Sequence, residues 1–359
     1  MAELPSTLNQ LFTALQEIPD LRIEAGLAKH DVPIPDLYDA RIDIQIGERS
    51  ITLLVEAKKS IYPRDVRQAL WQLREYARAA QYDINREAHP MLVAESISPG
   101  AKDMLRAERV GYFDSGGSLF LPARGAYLYI DKPSPKSLGK SIRTVFLGRR
   151  AQVIHALLVR DRTWFGVTEM AKEARVAPST ASEVLTQLDR FEWLESRGQG
   201  PSKERLLREP GALLDSWAKY QSVLRPPTSR RYYVPDFKGA ALPSHLGHMF
   251  DHHQAIYSVT SEAAAQLYAP FLTTVSVVRT RLLTGPTGEA AIAELEARAV
   301  NEGANLIILE SKSGGEFLFR QQLDGVWLAS PIQVYLDLLR GEARSKEMAD
   351  HLRREWIKF

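Results

Sequence analysis

Hydrophobic and polar residues alternate in the first part of the chain in a way that predicts β-strands flanked by helices. In the segment ARIDIQI the three isoleucines share one face, and Asp43 falls on the other. A turn at GERS then leads into a paired strand at residues 51–56. Apolar residues spaced by three or four predict helices at 8–18 and 63–80. Strands with flanking helices indicate an α/β layer.

The middle of the chain predicts three helices followed by a β-hairpin. Pro178 suits the first turn of the third helix. The i, i+3, i+4, i+7 spacing gives this helix an apolar face made of Ala181, Val184, Leu185 and Leu188. The outward positions are polar: Ser179, Thr180, Ser182, Glu183 and Gln187. Small polar groups at a helix N-terminus suit contacts with phosphates and base edges.

The predicted hairpin is basic. Its two strands are joined by the turn GQGPSK, and it carries Arg197, Lys203 and Arg205, which suit contacts with a DNA backbone or minor groove. The three helices and hairpin together resemble a MarR-type winged helix-turn-helix, which implies binding of double-stranded DNA. The alternative, which Glu183 on the outer face favours, is a winged helix used for dimerisation or protein contact.

Two Pro-rich, basic stretches, DKPSPKS and LRPPTSRRYYVPDF, predict linkers or domain edges. They divide the chain into segments at 1–135, 145–222 and 232–359. The last segment alternates helix and strand patterns, so the expected class is an α/β multidomain protein with a C-terminal α+β domain.

Composition narrows the function classes. The chain of 359 residues has Lys+Arg 46 against Asp+Glu 44, so the net charge of +2 gives no global basic field, and nucleic-acid contacts must come from local patches. The absence of cysteine excludes disulfides and thiolate metal sites. No apolar run has the length of a membrane span. The stretch MAELPSTLNQLF lacks a basic n-region and an apolar h-region, so we expect no secretion signal. We therefore expect a cytoplasmic protein without a membrane partner.

The end of the first hairpin carries candidate chemistry. Glu56 and Lys58 are two residues apart and so share a strand face with period 2. Asp43 lies on the partner strand, and Asp43 and Glu56 could supply hard oxygen ligands to Mg²⁺. Lys58 could then hold an attacking water or stabilise a pentacovalent phosphate. Two alternatives remain: Asp36 or Asp39 could take the role of Asp43, and Glu56 and Lys58 could form a simple salt bridge.

The order of these residues, followed by Gln72-x-x-x-Tyr76 on the next helix, resembles the PD-(D/E)xK nuclease superfamily, particularly its RecB-type members. The resemblance implies a restriction-endonuclease-like fold for residues 1–135. It implies a catalytic set of Asp43, Glu56, Lys58 and Gln72, with Asp43 and Glu56 as the metal ligands. Glu24 stands where such folds often place a further acidic residue.

The phrases GYFDSGGSLFL, YSVTSEAAAQLYAP and ASPIQVYLDLL resemble the AbiEi-like antitoxin family of type IV toxin–antitoxin systems. That resemblance implies a transcriptional regulator with a nucleotidyltransferase-like C-terminal domain at 232–359, and a toxin or a second copy of the chain as protein partner. The segment has no Gly-Ser followed by paired Asp, so we expect this domain to be catalytically silent.

Four histidines fall in the stretch HLGHMFDHH. His245, His248 and His252 share a helical face and could hold a metal with Asp251, or they could form a polar helix surface.

Two hypotheses remain for the whole chain: a DNA-binding regulator of antitoxin type, and a Mg²⁺-dependent DNA endonuclease that the winged helix directs to its site.

Overall fold

The computed structural model describes residues 6–28, 38–72, 87–123, 126–132, 144–235, 241–272 and 274–359. The chain divides into two compact units: Met1–Thr144 with Thr186–Glu192, and Val145–Leu185 with Trp193–Phe359. Each unit contains a seven-stranded mixed sheet with helices, so the expected α/β multidomain class is confirmed. The finer division into three domains stays a prediction.

The first sheet follows the chain order. Its strands are β1 Leu21–Ala28, β2 Ala40–Ile46, β3 Arg49–Ile61, β4 Glu87–Ile97, β5 Gly111–Asp114, β6 Leu119–Ala123 and β7 Ala126–Ile130, in the order β1-β2-β3-β4-β5-β6-β7. The β3–β4 and β4–β5 pairs are parallel, and the other four neighbouring pairs are antiparallel.

Helices cover both faces of this sheet. Helix α1, Ser6–Gln16, buries Leu8, Leu11 and Leu15 in a core shared with Ile42 and Ile44, the inward residues of β2. The opposite face is covered by helix α2, described over 63–72, and by helix α3, Pro99–Ala107. The period-2 pattern of ARIDIQI therefore arises because one face of β2 is packed against α1.

The first hairpin has a tighter turn than the sequence pattern predicted. The turn comprises Gly47 and Glu48 rather than all of GERS, and Ile46 pairs with Arg49. Gly47 has φ 59°, a backbone conformation that glycine adopts readily and that two-residue hairpin loops require. The paired strand begins two residues before Ile51, and this fixes the register of the hairpin.

The second unit begins with helices α4 Gly148–Val159 and α5 Val167–Glu173. Helix α6, Pro178–Arg190, follows, and then the two-stranded hairpin β8 Leu194–Arg197 and β9 Glu204–Leu207. Residues 186–190 of α6 belong to the first unit. The apolar face predicted for α6 is confirmed, because Ala181, Val184, Leu185 and Leu188 are all fully buried.

Helix α7, Pro210–Ser222, leads into the second sheet. Its strands are β10 Ser229–Tyr233, β11 Tyr257–Thr260, β12 Val278–Leu283, β13 Arg298–Ala299, β14 Leu306–Ser311, β15 Gln321–Leu323 and β16 Val326–Leu328, in the order β13-β10-β14-β12-β11-β16-β15. Its helices are α8 Ala241–His252, α9 Ser261–Tyr268, α10 Pro286–Glu294, α11 Pro331–Leu338 and α12 Ala343–Leu352.

The prediction of a linker at LRPPTSRRYYVPDF is wrong over 229–233. These residues form β10, which pairs with both β13 and β14 inside the second sheet. Arg230 is held by Glu289, with Nη2–Oε1 2.7 Å, and by Glu310, with Nε–Oε1 3.1 Å. The hydrogen bond to Glu289 raises the pKa of Arg230. The basic and aromatic residues of this stretch therefore belong to a sheet rather than to a solvated connector.

Across the described ranges, no helix has both the length and the apolar character to cross a membrane.

Candidate functional site

The register of the β2–β3 hairpin decides which carboxylates lie near Glu56. Asp43 pairs with Thr52, which is four residues before Glu56 on β3. At about 3.3 Å per residue, this places Asp43 and Glu56 about 13 Å apart along the strand. Two carboxylates that share one cation must bring their oxygens within a few ångströms of each other. The structure does not bring Asp43 and Glu56 together as the ligands of one ion.

Asp43 has local partners that account for an acidic residue in the middle of a strand. It is 7% exposed, and its carboxylate accepts a hydrogen bond of 2.6 Å from the Thr52 hydroxyl. Arg41 forms an ion pair with it, with Nη2–Oδ2 3.1 Å. Both contacts lie within the hairpin, and they satisfy a buried charge.

Asp39 is the carboxylate that lies beside Glu56. Its backbone N–H donates to the carbonyl of Val55, and its Oδ2 accepts from the backbone N–H of Ala57, each at 2.9 Å. Ala57 lies between Glu56 and Lys58 in the sequence, so the carboxylate of Asp39 is held at the peptide between them. The pairing of Ala40 with Val55, continued by one residue, also places Asp39 opposite Glu56.

Glu56 and Lys58 form the salt bridge that their spacing allows, with Nζ–Oε1 2.9 Å. Their side chains are 16% and 33% exposed, so the pair is partly sheltered and still reachable from solvent. Among the described residues, Asp39 and Glu56 each use one carboxylate oxygen in these contacts. The donor set of two carboxylates with an adjacent ammonium fits Mg²⁺, which prefers hard oxygen ligands.

The other residues of the predicted catalytic set lie apart or outside the described ranges. Gln72 is half-buried and is the last described residue of α2, and Tyr76 lies outside the described residues. Glu24 accepts a hydrogen bond of 3.4 Å from the Ser50 hydroxyl, at the turn end of the hairpin. Ser50 is six residues before Glu56, so Glu24 is not part of this constellation.

A buried ion pair in the same unit has no counterpart in the sequence prediction. Lys102 on α3 contacts Asp114 at the end of β5, with Nζ–Oδ2 2.7 Å, and both side chains are buried. The Lys102 ammonium also donates to the Ser118 hydroxyl at 2.7 Å, and the Ser118 N–H donates to Asp114 Oδ1 at 3.1 Å. This network accounts for two polar residues inside GYFDSGGSLFL, Asp114 and Ser118. The sequence does indicate a buried lysine, because Lys102 lies next to Ala101 and three residues before Leu105, on the apolar face of α3.

Helix α6 and the β8–β9 hairpin form a second candidate surface. At the N-terminal end of α6, Ser179 is exposed, and Thr180 and Ser182 are half-buried. Gln187, two turns further on, is also half-buried. Glu183 is exposed and pairs with Arg150 of α4, with Nη2–Oε1 3.0 Å. The negative charge of Glu183, which favours a protein-binding role, is therefore offset by the positive charge of Arg150.

The three predicted hairpin cations differ in their surroundings. Arg197 pairs with Glu204 on the opposite strand, with Nη2–Oε2 2.7 Å, and its guanidinium lies 4.2 Å from the ring centroid of Trp164. Lys203 is half-buried in the turn region. Arg205 is only 5% exposed, and its backbone exchanges two hydrogen bonds of 2.9 Å with Phe165.

A groove of about 540 Å³ lies between α6, the start of α5 and the hairpin. We name it the α6–hairpin groove, and it is lined by Gly166, Val167, Thr168, Glu169, Ser182, Gly200, Pro201, Lys203 and Arg205. The structure thus brings Ser182, Lys203 and Arg205 together on one concave surface. Glu169 is offset by Arg160, with Oε1–Nη2 2.9 Å.

Comparison with known proteins gives one distant structural match. No family model matches the chain, and no curated protein matches it. The solved structure of EndoMS in apo form aligns with 32% of this chain at 15% sequence identity and a TM-score of 0.22. The aligned part spans 47% of that protein's length. At so low a TM-score the similarity assigns this chain to no family and says nothing about what it binds or cleaves.

Proposed function

We propose that this chain is a DNA-binding transcriptional regulator of antitoxin type that binds duplex DNA through α6 and the β8–β9 hairpin, as a winged helix-turn-helix does. The observation that carries the proposal is the α6–hairpin groove, in which Ser182, Lys203 and Arg205 meet beside the polar N-terminal turn of α6. Small hydroxyl side chains and cations on one concave surface are the groups that bind phosphates and base edges.

The packing of α6 supports a role in recognition. Its apolar face is fully buried, so the helix is held in a fixed orientation with Ser179, Thr180 and Ser182 on the opposite side. The helix dipole makes this N-terminal end favourable for a phosphate.

The charges of the surface set the expected strength of binding. Arg197 and Arg150 are partly neutralised by Glu204 and Glu183, and the cations that line the groove are Lys203 and Arg205. Arg205 is only 5% exposed, so we count one phosphate contact, by Lys203, which gives a slope of log K against log salt concentration of about −0.9 per bound chain. We therefore expect weak non-specific binding, with specificity supplied by the hydroxyl residues of α6.

The antitoxin part of the proposal is supported by the resemblance of three sequence phrases to the AbiEi-like family. A toxin protein, or a second copy of this chain, is then the expected protein partner, and the C-terminal nucleotidyltransferase-like region is expected to serve regulation without catalysis.

The experiment that tests the proposal is the salt dependence of duplex binding, measured by fluorescence anisotropy with the full chain. We expect Lys203→Ala to weaken binding and to reduce the slope by about 0.9. Lys312→Ala is the matched control, because Lys312 is an exposed lysine of the second unit that does not line the groove. Equal effects of the two substitutions would refute the assignment of this surface.

A second candidate function rests on a different observation. We propose that Asp39, Glu56 and Lys58 form the site of a Mg²⁺-dependent deoxyribonuclease, because Asp39 is hydrogen-bonded to the peptide between the other two residues. Asp39 and Glu56 would hold the ion, which would offset the negative charge of a scissile phosphate. Lys58 would place its ammonium beside the same phosphate.

Plasmid nicking with Mg²⁺ or Mn²⁺ tests this candidate. Lys58→Met should remove cleavage while sparing metal binding, and Glu56→Gln should remove both. Lys59→Met is the matched control, because Lys59 is the exposed neighbour on the other face of β3. If the wild-type chain leaves the plasmid intact with both ions, the hairpin carboxylates are not the site of a deoxyribonuclease.

A further inference from the structure

Two helices of the second unit end at the same place and carry three metal-ligand side chains there. His252 is the last residue of α8, His253 follows it, and Glu294 is the last residue of α10. His253 Nε2 lies 2.5 Å from Glu294 Oε2, and His252 Nδ1 lies 3.7 Å from the same oxygen. The two imidazole rings are 5.0 Å apart at an interplanar angle of 74°. One ligand atom from each of the three residues lies within 4.8 Å of the others.

The end of α8 is held in a defined conformation. Gln254 has φ 54°, and its N–H donates to the carbonyl of Asp251 at 3.0 Å, while the Ala255 N–H donates to the carbonyl of Phe250 at 2.8 Å. This pair of bonds around a left-handed residue is a Schellman motif. It turns the chain directly after His253, so two sequential histidines lie on the same side of the helix end.

The end of α10 has a similar turn. Glu296 has φ 49°, and its N–H donates to the carbonyl of Ala293 at 3.2 Å. Helix α10 therefore ends in a defined turn just after Glu294. Because both helices present their C-terminal ends to this cluster, the partial negative charge of each macrodipole favours a cation there.

We propose that His252, His253 and Glu294 form a binding site for a divalent transition-metal ion, with Zn²⁺ as the best fit. Two imidazole nitrogens and one carboxylate oxygen are a ligand set that Zn²⁺ takes, with the fourth position open to water or another donor. Bonds of about 2.0–2.2 Å in a tetrahedral site separate the ligand atoms by about 3.3 Å. His253 and Glu294 would therefore move apart by roughly 1 Å, and the ion would replace the proton that they share.

Glu294 can make this movement with little repacking, because its side chain is 43% exposed, while that of His253 is 23% exposed. The site differs from the one predicted from the sequence, where His245, His248 and His252 were placed on one helical face with Asp251. The structure supplies Glu294 from another helix, and His245 and His248 are not in the cluster.

The experiment is Zn²⁺ titration by calorimetry, using the untagged full chain that carries Glu56→Gln, so that the hairpin carboxylates do not contribute. We expect one equivalent of Zn²⁺ to bind and to raise the melting temperature, because the ion binds only the folded state. In the same background, Glu294→Gln and His253→Ala should each weaken binding by at least about tenfold. His248→Ala is the matched control, since it removes an exposed histidine of α8 from outside the cluster.

The parent chain and the control should have the same affinity. The proposal is overturned if the parent chain binds no Zn²⁺, because the cluster is then only a hydrogen-bonded surface pair. It is also overturned if Glu294→Gln binds as tightly as the parent, or if His248→Ala loses as much affinity as His253→Ala. None of these results bears on DNA binding, which the salt-dependence experiment measures separately.

Discussion

Alanine substitutions of Asp39 and Asp43 should differ in their effect on metal binding and in the size of their effect on stability. The two residues differ by four positions and so share a face of β2 and its N-terminal extension, but only Asp39 reaches the peptide between Glu56 and Lys58. Asp39→Ala should therefore abolish the binding of Mn²⁺ or Mg²⁺ to the hairpin. Asp43→Ala should leave that binding unchanged, because Asp43 is about 13 Å from Glu56 along the strand.

The stability effects follow from the contacts that each carboxylate makes. Asp43→Ala removes the acceptor of the fully buried Thr52 hydroxyl and the partner of Arg41, so we expect the free energy of unfolding to fall by about 1–3 kcal/mol. Asp39→Ala removes one hydrogen bond at a half-buried position, where water can replace the carboxylate, so the expected loss is about 0.5–1.5 kcal/mol.

Calorimetric titration with Mn²⁺ and urea unfolding of both variants measure the two effects together. The titrations are made in the Glu294→Gln background, so that the histidine cluster does not contribute. Loss of metal binding in Asp43→Ala with retention in Asp39→Ala would refute the register argument. Mn²⁺ binding that survives in Asp39→Ala and in Glu56→Ala would place any metal site of the first unit elsewhere.

Three further substitutions probe the buried ion pair, the hairpin turn and a buried histidine. Lys102→Met should lower the free energy of unfolding by about 3–5 kcal/mol in urea titrations, because it leaves the buried carboxylate of Asp114 without its cation. Gly198→Ala should weaken duplex binding in anisotropy titrations, because Gly198 has φ 73° and an added Cβ would lie 2.7 Å from the carbonyl oxygen of Ser202. The helical signal in circular dichroism should not change. Burial, and then the charge of Arg281, lowers the pKa of His155 from 6.5 to about 3, so the folded state keeps a neutral imidazole. The free energy of unfolding is therefore unaffected by His155 above pH 6.5 and decreases as the pH falls towards 3, with a loss of about 2 kcal/mol at pH 5. His155→Gln should flatten this pH dependence in thermal unfolding measured from pH 7 to 5.

Local periodicity was enough to predict the strands of the hairpin, because one face of ARIDIQI packs against α1 and is apolar, while the other face carries polar residues. Periodicity could not choose between Asp39 and Asp43, since both have the same parity on the strand. The choice depends on register, which the turn sets: with Gly47 and Glu48 as a two-residue loop, Glu56 falls opposite Asp39.

Non-local pairing explains the other differences between sequence and structure. Residues 229–233 follow two prolines and are rich in arginine, which indicates a connector, yet they pair with strands that begin about 70 residues later. Glu294 is 41 residues beyond His253, so no spacing rule could join it to the histidines. The apolar face of α6 was predictable because its determinants lie within a few turns of a single helix.

Selection from a pool of random duplexes measures whether α6 recognises a specific DNA sequence. The full wild-type chain should enrich a defined sequence from the pool. The variant that combines Ser179→Ala, Thr180→Ala and Ser182→Ala should keep its fold and its salt dependence but enrich no sequence, because it retains the cations of the α6–hairpin groove and lacks the hydroxyl groups. A folded wild-type chain that enriches no sequence, or a triple variant that enriches the same sequence as the wild type, would contradict the proposal that α6 recognises DNA.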